Sequence, residues 1–198
     1  MRAFSVIVAA TQKERGIGFE NGIPWKLKTD MAEFKRITLE AKEGMQNAVI
    51  MGRKTWESIP KKFRPLPDRF NIVLTRSLQE DVKEGGMAQA KSLKHAFQLL
   101  PSNVDKVFIA GGVAVYTEAL LSPYCEQIYL TTIFKDYQCD AFLPPIDPYR
   151  FEIQTLGPVQ QEGGISFQFV RYAKRHVHCC SRFWVARSTS RLCKQASV

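Results

Sequence analysis

The sequence predicts an α/β fold. We expect a single domain built on a mostly parallel central sheet, with an antiparallel C-terminal edge strand and helices on both faces. Three observations lead there. Short apolar runs alternate with helix-period stretches from residue 4 to about 133; such alternation belongs to parallel sheets. Those runs are mostly apolar, as strands covered on both faces are. After residue 133 the rhythm changes to two strand-like runs with no helix between them.

Element by element, Phe4–Ala10 reads as a buried strand. Thr29 is placed to cap a helix over Asp30–Leu39, with Met31, Phe34 and Thr38 on or near one face. Ala48–Met51 is a strand and Arg53–Ile59 a short helix closed by Pro60. Phe70–Thr75 is a strand, and Ser92 caps a helix that Pro101 ends. Val107–Ala110 is a strand, followed by Gly111-Gly112 and a helix near Val113–Leu120. Gln127–Ile133, Phe151–Leu156 and Ile165–Tyr172 complete the strands, the last two punctuated by Gly163-Gly164.

The chain has 198 residues and a net charge of +9. A basic average suggests a nucleic-acid partner, but the charge is unevenly spread. Residues 174–198 hold six basic residues and no acid, leaving 22 basic against 19 acidic residues before them. We therefore divide the chain into a domain over residues 1–175 and a basic, cysteine-containing extension over 176–198, expected to be disordered. The body lacks a basic helix or an aromatic-basic stripe, so no nucleic acid is expected. No apolar run reaches the roughly 18 residues of a membrane span. Five cysteines without regular spacing do not make a disulfide framework and suit a reducing compartment. His176-Val177-His178-Cys179-Cys180 invites a metal, but a second ligand pair at zinc-site spacing is missing, so no metal is expected.

Two strand-to-helix junctions suit phosphate: Met51-Gly52-Arg53-Lys54-Thr55 and Ala110-Gly111-Gly112-Val113. Glycine after a strand lets backbone approach an anion, and the helix start offers N–H donors. An ordinary helix start with a turn glycine would read the same way; two such junctions, one carrying Arg-Lys-Thr, favour a nucleotide. Neither is a Walker A loop or a complete G-x-G-x-x-G, which disfavours ATP hydrolysis and a standard dinucleotide fold. Asp30 follows Pro24-Trp25 and shares a helix face with Phe34. An acid there can simply complement the helix dipole; beside an aromatic on an inward face, it is desolvated and its pKa rises. Phe63-Arg64-Pro65-Leu66-Pro67-Asp68-Arg69 is rigid and basic, either a carboxylate clamp or a solvated loop.

Taken in order, Ile7-Val8-Ala9-Ala10, Gly16-Ile17-Gly18, Asn21-Gly22-Ile23-Pro24-Trp25, Asp30 with Phe34, Val49 through Pro60, Arg64 through Arg69, Gly111 through Tyr116 and Tyr129-Leu130-Thr131 resemble the dihydrofolate reductase family. The resemblance covers Phe4 to about Tyr172, and Trp-Glu-Ser-Ile-Pro with Arg-Pro-Leu-Pro looks eukaryotic; with no thymidylate synthase segment in the sequence, a monofunctional form is expected. It implies NADPH-dependent reduction of 7,8-dihydrofolate to tetrahydrofolate, in support of one-carbon metabolism. It also implies a cytoplasmic monomer inhibited by antifolates such as methotrexate.

By that resemblance, Asp30, Trp25 and Thr131 carry catalysis, Asp30 promoting protonation of the pterin nitrogen and the other two holding its hydrogen-bond network. Ile7, Val8, Met31, Phe34, Ile59, Leu66 and Tyr116 would line the folate pocket, and Arg69 would clamp the glutamate α-carboxylate. Ala9, Ile17, Gly18, Gly22 and Ile23 match the nicotinamide end, the last four within a loop over residues 16–25 that closes on it. Gly52, Arg53, Lys54 and Thr55 match the phosphate contacts. Leu74, Thr75, Arg76 and Lys91 match the adenosine side, with Arg76 on the 2′-phosphate. Ala110, Gly111, Gly112, Val113, Ala114, Val115 and Tyr116 match the remaining cofactor wall, the glycine pair with a cis peptide. A related pterin or pyrimidine reductase is the competing enzymatic reading, and Asp30 with Arg69 argues against it. A basic nucleic-acid-binding protein is the competing reading from another class.

Overall fold

A computed structural model describes residues 1–77, 83–84 and 86–175. The strands are β1 (Phe4–Thr11), β2 (Gly16–Gly18), β3 (Gln46–Gly52), β4 (Arg69–Leu74), β5 (Lys83–Glu84), β6 (Met87–Ala90), β7 (Val104–Ile109), β8 (Cys125–Ile133), β9 (Ala141–Phe142), β10 (Phe151–Glu162) and β11 (Ile165–Lys174). The helices are α1 (Lys28–Leu39), α2 (Arg53–Ser58), α3 (Leu93–Gln98) and α4 (Val113–Leu121).

Among the described residues, nine strands form the main sheet in the order β10-β11-β8-β1-β7-β3-β4-β6-β5. Its middle six, β8 to β6, are parallel to one another. The expected antiparallel edge strand is a pair: β11 runs antiparallel to β8, and β10 antiparallel to β11. A two-residue turn at Gly163-Gly164 joins that pair, and both glycines take positive φ (57° and 75°), the geometry that matches strand twist and favours glycine.

Alternation along β1 explains the two-sided core. Val6 and Val8 point to the side where α3 and α4 pack through Leu93, Ala96, Val115 and Ala119. Ile7 points to the other, against Phe108, Ile37 and Phe34 of α1. Strands buried on both faces favour near-continuous apolar runs, and β3 carries Ala48, Val49, Ile50 and Met51, all fully buried.

Three local expectations need correction. Thr29 does not cap α1, because the helix begins one residue earlier and its N-cap is Leu27, whose side chain accepts nothing. Ser92 does cap α3, accepting from the His95 amide at 3.1 Å, but that helix stops at Gln98. The strands β2, β5, β6 and β9 escaped the sequence reading; none exceeds four residues, too short for period-two alternation to show. The extension over 176–198, with its His-Cys run, lies outside the described residues.

Asn47 is the buried polar tie of the sheet. It is wholly inaccessible, donates to the Thr38 and Glu40 carbonyls at 3.0 and 3.1 Å, and accepts from the Lys106 amide at 3.0 Å. It thus joins the end of α1 to β3 and β7. Truncation leaves three backbone groups without this partner. Asn47→Ala should cost about 3 kcal/mol and lower the melting temperature by roughly 5–12 °C, measured by thermal denaturation.

Candidate active site

The parallel strands β1, β3, β4, β6 and β7 end on one edge of the sheet; Gly52, Leu74, Thr75, Ala110 and the residues that follow them lie there, while Arg69 stands at the other end of β4. Carboxyl ends of parallel strands are where open α/β sheets take ligands, since helix starts and loop backbone converge on them. Register pairs Ala9 with Thr131, and Gly52 with Leu74. The Thr75 amide donates to the Ala90 carbonyl at 2.9 Å, which sets Thr75-Arg76 beside Ala90-Lys91.

Asp30 lies in the first turn of α1, half-buried. The Thr131 hydroxyl, 7% exposed, donates to Asp30 Oδ1 at 2.7 Å. Burial pushes the Asp30 carboxyl above the usual carboxylate range. The Thr131 hydrogen bond works in the opposite direction, and the charges of Glu162 and Glu33 add to the rise. Trp25 is buried and packs on Tyr137 with ring centroids 5.5 Å apart. Its indole Nε1 is enclosed without an acceptor among the described residues. Thr131 therefore meets Asp30 directly, while Trp25 has a donor to spare. Tyr116 is buried on α4 and donates to the Ile7 carbonyl at 2.9 Å; burial, then the nearby Asp30, raises its hydroxyl far above its ordinary value. Ile7 and Val8 are buried, while Phe34, Ile59 and Leu66 are half-buried. Met31, one turn before Phe34 on α1, is 58% exposed.

Arg69 is 5% exposed at the start of β4. Its Nη1 donates to the Thr38 hydroxyl at 2.7 Å and its Nε to the Pro67 carbonyl at 3.0 Å. Burial lowers its pKa, yet a guanidinium remains charged. Among the described residues no carboxylate forms an ion pair with it. A buried, positioned arginine with spare donors suits a bidentate carboxylate. Two residues that build this corner were not singled out as site residues. Thr38 fixes the fork. Asn71, fully buried, binds the Leu66 amide (3.0 Å) and carbonyl (2.9 Å) and the Arg69 carbonyl (2.7 Å). An asparagine inside the apolar run Phe70–Leu74 was the available signal.

The two glycine junctions meet. The Gly52 amide donates to the Gly111 carbonyl at 2.7 Å, and Gly111–Gly112 is a cis peptide. Gly111 takes φ of 116°, open to glycine alone. A Cβ there would press on the Thr55 hydroxyl and the Tyr116 ring, at 3.2–3.4 Å, and one on Gly112 would sit 3.3 Å from the same hydroxyl. Backbone, the Thr55 hydroxyl and the start of α2 thus share one small cradle. Arg53 and Lys54 are exposed at its rim, Arg53 reaching Glu57 at 3.4 Å. Arg76 and Lys91 lie exposed at the neighbouring strand ends; Val113 and Ala114 are exposed and Val115 buried. The residues present fit a phosphate-bearing nucleotide laid across the strand ends.

The 16–25 segment is held by β9 and by bonds of its own. Gly16 and Gly18 pair with Phe142 and Ala141 of β9, and the Gly16 amide donates to the Thr11 hydroxyl at 2.8 Å. Phe19 and Gly22 exchange two backbone hydrogen bonds (2.9 and 2.8 Å) around Glu20-Asn21. Ile17 is half-buried, and Ile23 is 58% exposed. Among the described residues, no cluster of three metal-binding side chains occurs, and no helix is long and apolar enough to cross a membrane.

Comparison with known proteins gives the family. Residues 4–174 match the family model described as dihydrofolate reductase. The chain is 42% identical over 188 residues to dihydrofolate reductase of Bos taurus, covering 89% of this chain and 100% of that one. It is 41% identical over 178 residues to the Heliothis virescens dihydrofolate reductase, covering 85% and 96%. It is also 41% identical over 180 residues to the bifunctional dihydrofolate reductase-thymidylate synthase of Glycine max, covering 87% of this chain but 34% of that longer protein. The chain thus spans about a third of the bifunctional relatives and nearly all of the single-activity ones. With 171 residues matched and the site assembled at the strand ends, the chain belongs to the dihydrofolate reductase family.

Proposed function

We propose that the chain reduces 7,8-dihydrofolate to 5,6,7,8-tetrahydrofolate with NADPH, as a cytoplasmic monomer open to inhibition by antifolates such as methotrexate. The observation that carries the reading is the half-buried Asp30 carboxyl held by Thr131, beside a glycine cradle and a buried, positioned Arg69. A pterin offers an amino group and a ring N–H to a carboxylate, and its benzoyl-glutamate tail ends in carboxylates for an arginine. Two free cysteines among the described residues, Cys125 and Cys139, support a reducing compartment.

When bound, NADPH supplies the hydride. The chain's residues do the rest. Gly52, Gly111, Gly112 and Thr55 would accommodate phosphate, with Arg53, Lys54, Arg76 and Lys91 as neighbouring cations. Ala9, Ile17, Gly18, Gly22 and Ile23 would enclose the nicotinamide end and exclude water. Asp30 orients the pterin and favours a proton on its ring nitrogen. An acid of raised pKa retains its proton nearer neutral pH, where that step needs it. The spare Trp25 indole donor and the Thr131 hydroxyl suit a bridging water in this network.

The direct test is NADPH absorbance with and without dihydrofolate, then with methotrexate. Oxidation should require dihydrofolate and stop on addition of the inhibitor. Asp30→Asn should cut hydride transfer by roughly 100-fold or more, with NADPH affinity unchanged in a binding titration. The same variant reports on stability. A folded-state pKa above the unfolded value makes the carboxyl stabilising at low pH, a contribution lost as pH rises through the folded value. Asp30→Asn should therefore raise the melting temperature at neutral pH and give no gain in acid. Thr131→Val removes the bond that favours the carboxylate. The alkaline fall in hydride-transfer rate should then move to higher pH. Arg76→Ala should weaken NADPH by roughly 10–100-fold, the scale of a charge-assisted hydrogen bond, and leave NADH nearly unchanged in the same assay.

A further inference from the structure

Helix α1 carries the reactive acid but has no cap of its own. Its N-cap is Leu27, whose side chain offers no acceptor, so the first amides must find one elsewhere. They find it at Glu162, more than 130 residues along the chain. Glu162 Oε1 accepts from the Lys28 amide at 2.7 Å, and Oε2 accepts from the Thr29 amide at 2.9 Å. Both oxygens are used, and each serves a different orphan donor of the helix.

The hairpin holds this carboxylate in place. Glu162 pairs with Ile165 across the Gly163-Gly164 turn. Ile165 is buried in a cluster with Trp25, Leu27, Ile133 and Phe167. The tip of β10–β11 therefore holds the Trp25–Asp30 segment twice, through an apolar contact and through two charge-assisted hydrogen bonds. This is a second, independent link between α1 and the late strands, beside the bond from Asp30 to Thr131.

We propose that Glu162 is a positioning residue for Asp30: capping α1 from the hairpin, it fixes the turn from which the Asp30 carboxyl reaches Thr131 and sets a permanent negative charge near it. The proposal rests on Asp30 being the acid that serves the pterin. Glu162 itself stays ionised, since the Thr29 hydroxyl, the two amides and the Lys28 charge all hold its carboxyl below the ordinary range. The groups acting on Asp30 are Thr131 from β8, Glu33 from α1 and Glu162 from the hairpin; Asp30 in turn acts on Tyr116 of α4. Thr131 alone favours the carboxylate, and the two glutamates oppose it.

Glu162→Gln keeps an acceptor oxygen and removes the charge, whereas Glu162→Ala removes both. The full chain is labelled with ¹³C at the aspartate carboxyls, and Asp30→Asn identifies the Asp30 resonance. In Glu162→Gln the Asp30 titration should shift to lower pH, and the pH inflection of single-turnover hydride transfer should shift with it. Its KM for dihydrofolate should stay within about twofold of the parent, while Glu162→Ala should lose roughly fivefold or more in kcat/KM for dihydrofolate, the scale of a lost helix cap. A role in stability alone would lower the melting temperature of both variants without moving the titration, and that result overturns the proposal. So does a Glu162→Gln protein whose Asp30 titrates like the parent, which decides the matter even if Glu162→Ala folds poorly. Wild-type hydride transfer in Asp30→Asn would instead overturn the reading of Asp30, and the carboxyl titration would still report whether Glu162 acts on it.

Discussion

A single hydrogen bond of 2.7 Å, from Thr131 to Asp30, connects the first helix to a strand that follows it by about a hundred residues. It exists only because β8 lies beside β1 in the sheet and α1 packs over Ile7 and Phe108 on one face. The bond has an electrostatic consequence. Burial makes the Asp30 carboxylate costly, and Thr131 returns part of that cost by donating to it. Burial is the larger effect, so the balance lies above the usual carboxylate range.

The substrate and nucleotide sides follow from the same sheet. Parallel strands deliver their carboxyl ends to one edge, so Gly52, Leu74, Ala90 and Ala110 become neighbours although they are far apart in sequence. Glycines at two of those ends let backbone come within 2.7 Å of backbone. On the opposite side of the site, Thr38 and the Pro67 carbonyl fix the Arg69 fork, and Asn71 ties down the loop before it. Buried polar side chains such as Asn47 and Asn71 are tolerated because their amides are fully used. They order the frame on which the exposed cations are carried.

Net charge illustrates how a global number can mislead. The value of +9 suggested an anionic polymer as partner, yet six of those charges lie in residues 174–198. In the body, Arg53, Lys54, Arg76 and Lys91 are exposed along the strand-end edge, and Arg69 is buried at the start of β4. That distribution suits small anions held at defined points, not a polyanion spread along a face.

The sequence by itself determined the α/β class, the long strands and helices, the glycine junctions and the special position of Asp30. Those features are written in local periodicity, glycine placement and nearest-neighbour chemistry. It could not decide the short strands, which carry too few residues for a pattern, or the doubled antiparallel edge, which depends on pairing partners. It also assigned the cap of α1 to Thr29, the nearest hydroxyl. The structure gives that task to Glu162, because a helix start is satisfied by whichever acceptor the fold brings near, at whatever distance along the chain. The partners of Asp30, Arg69 and the helix start are all long-range, and only the packing of sheet against helix selects them.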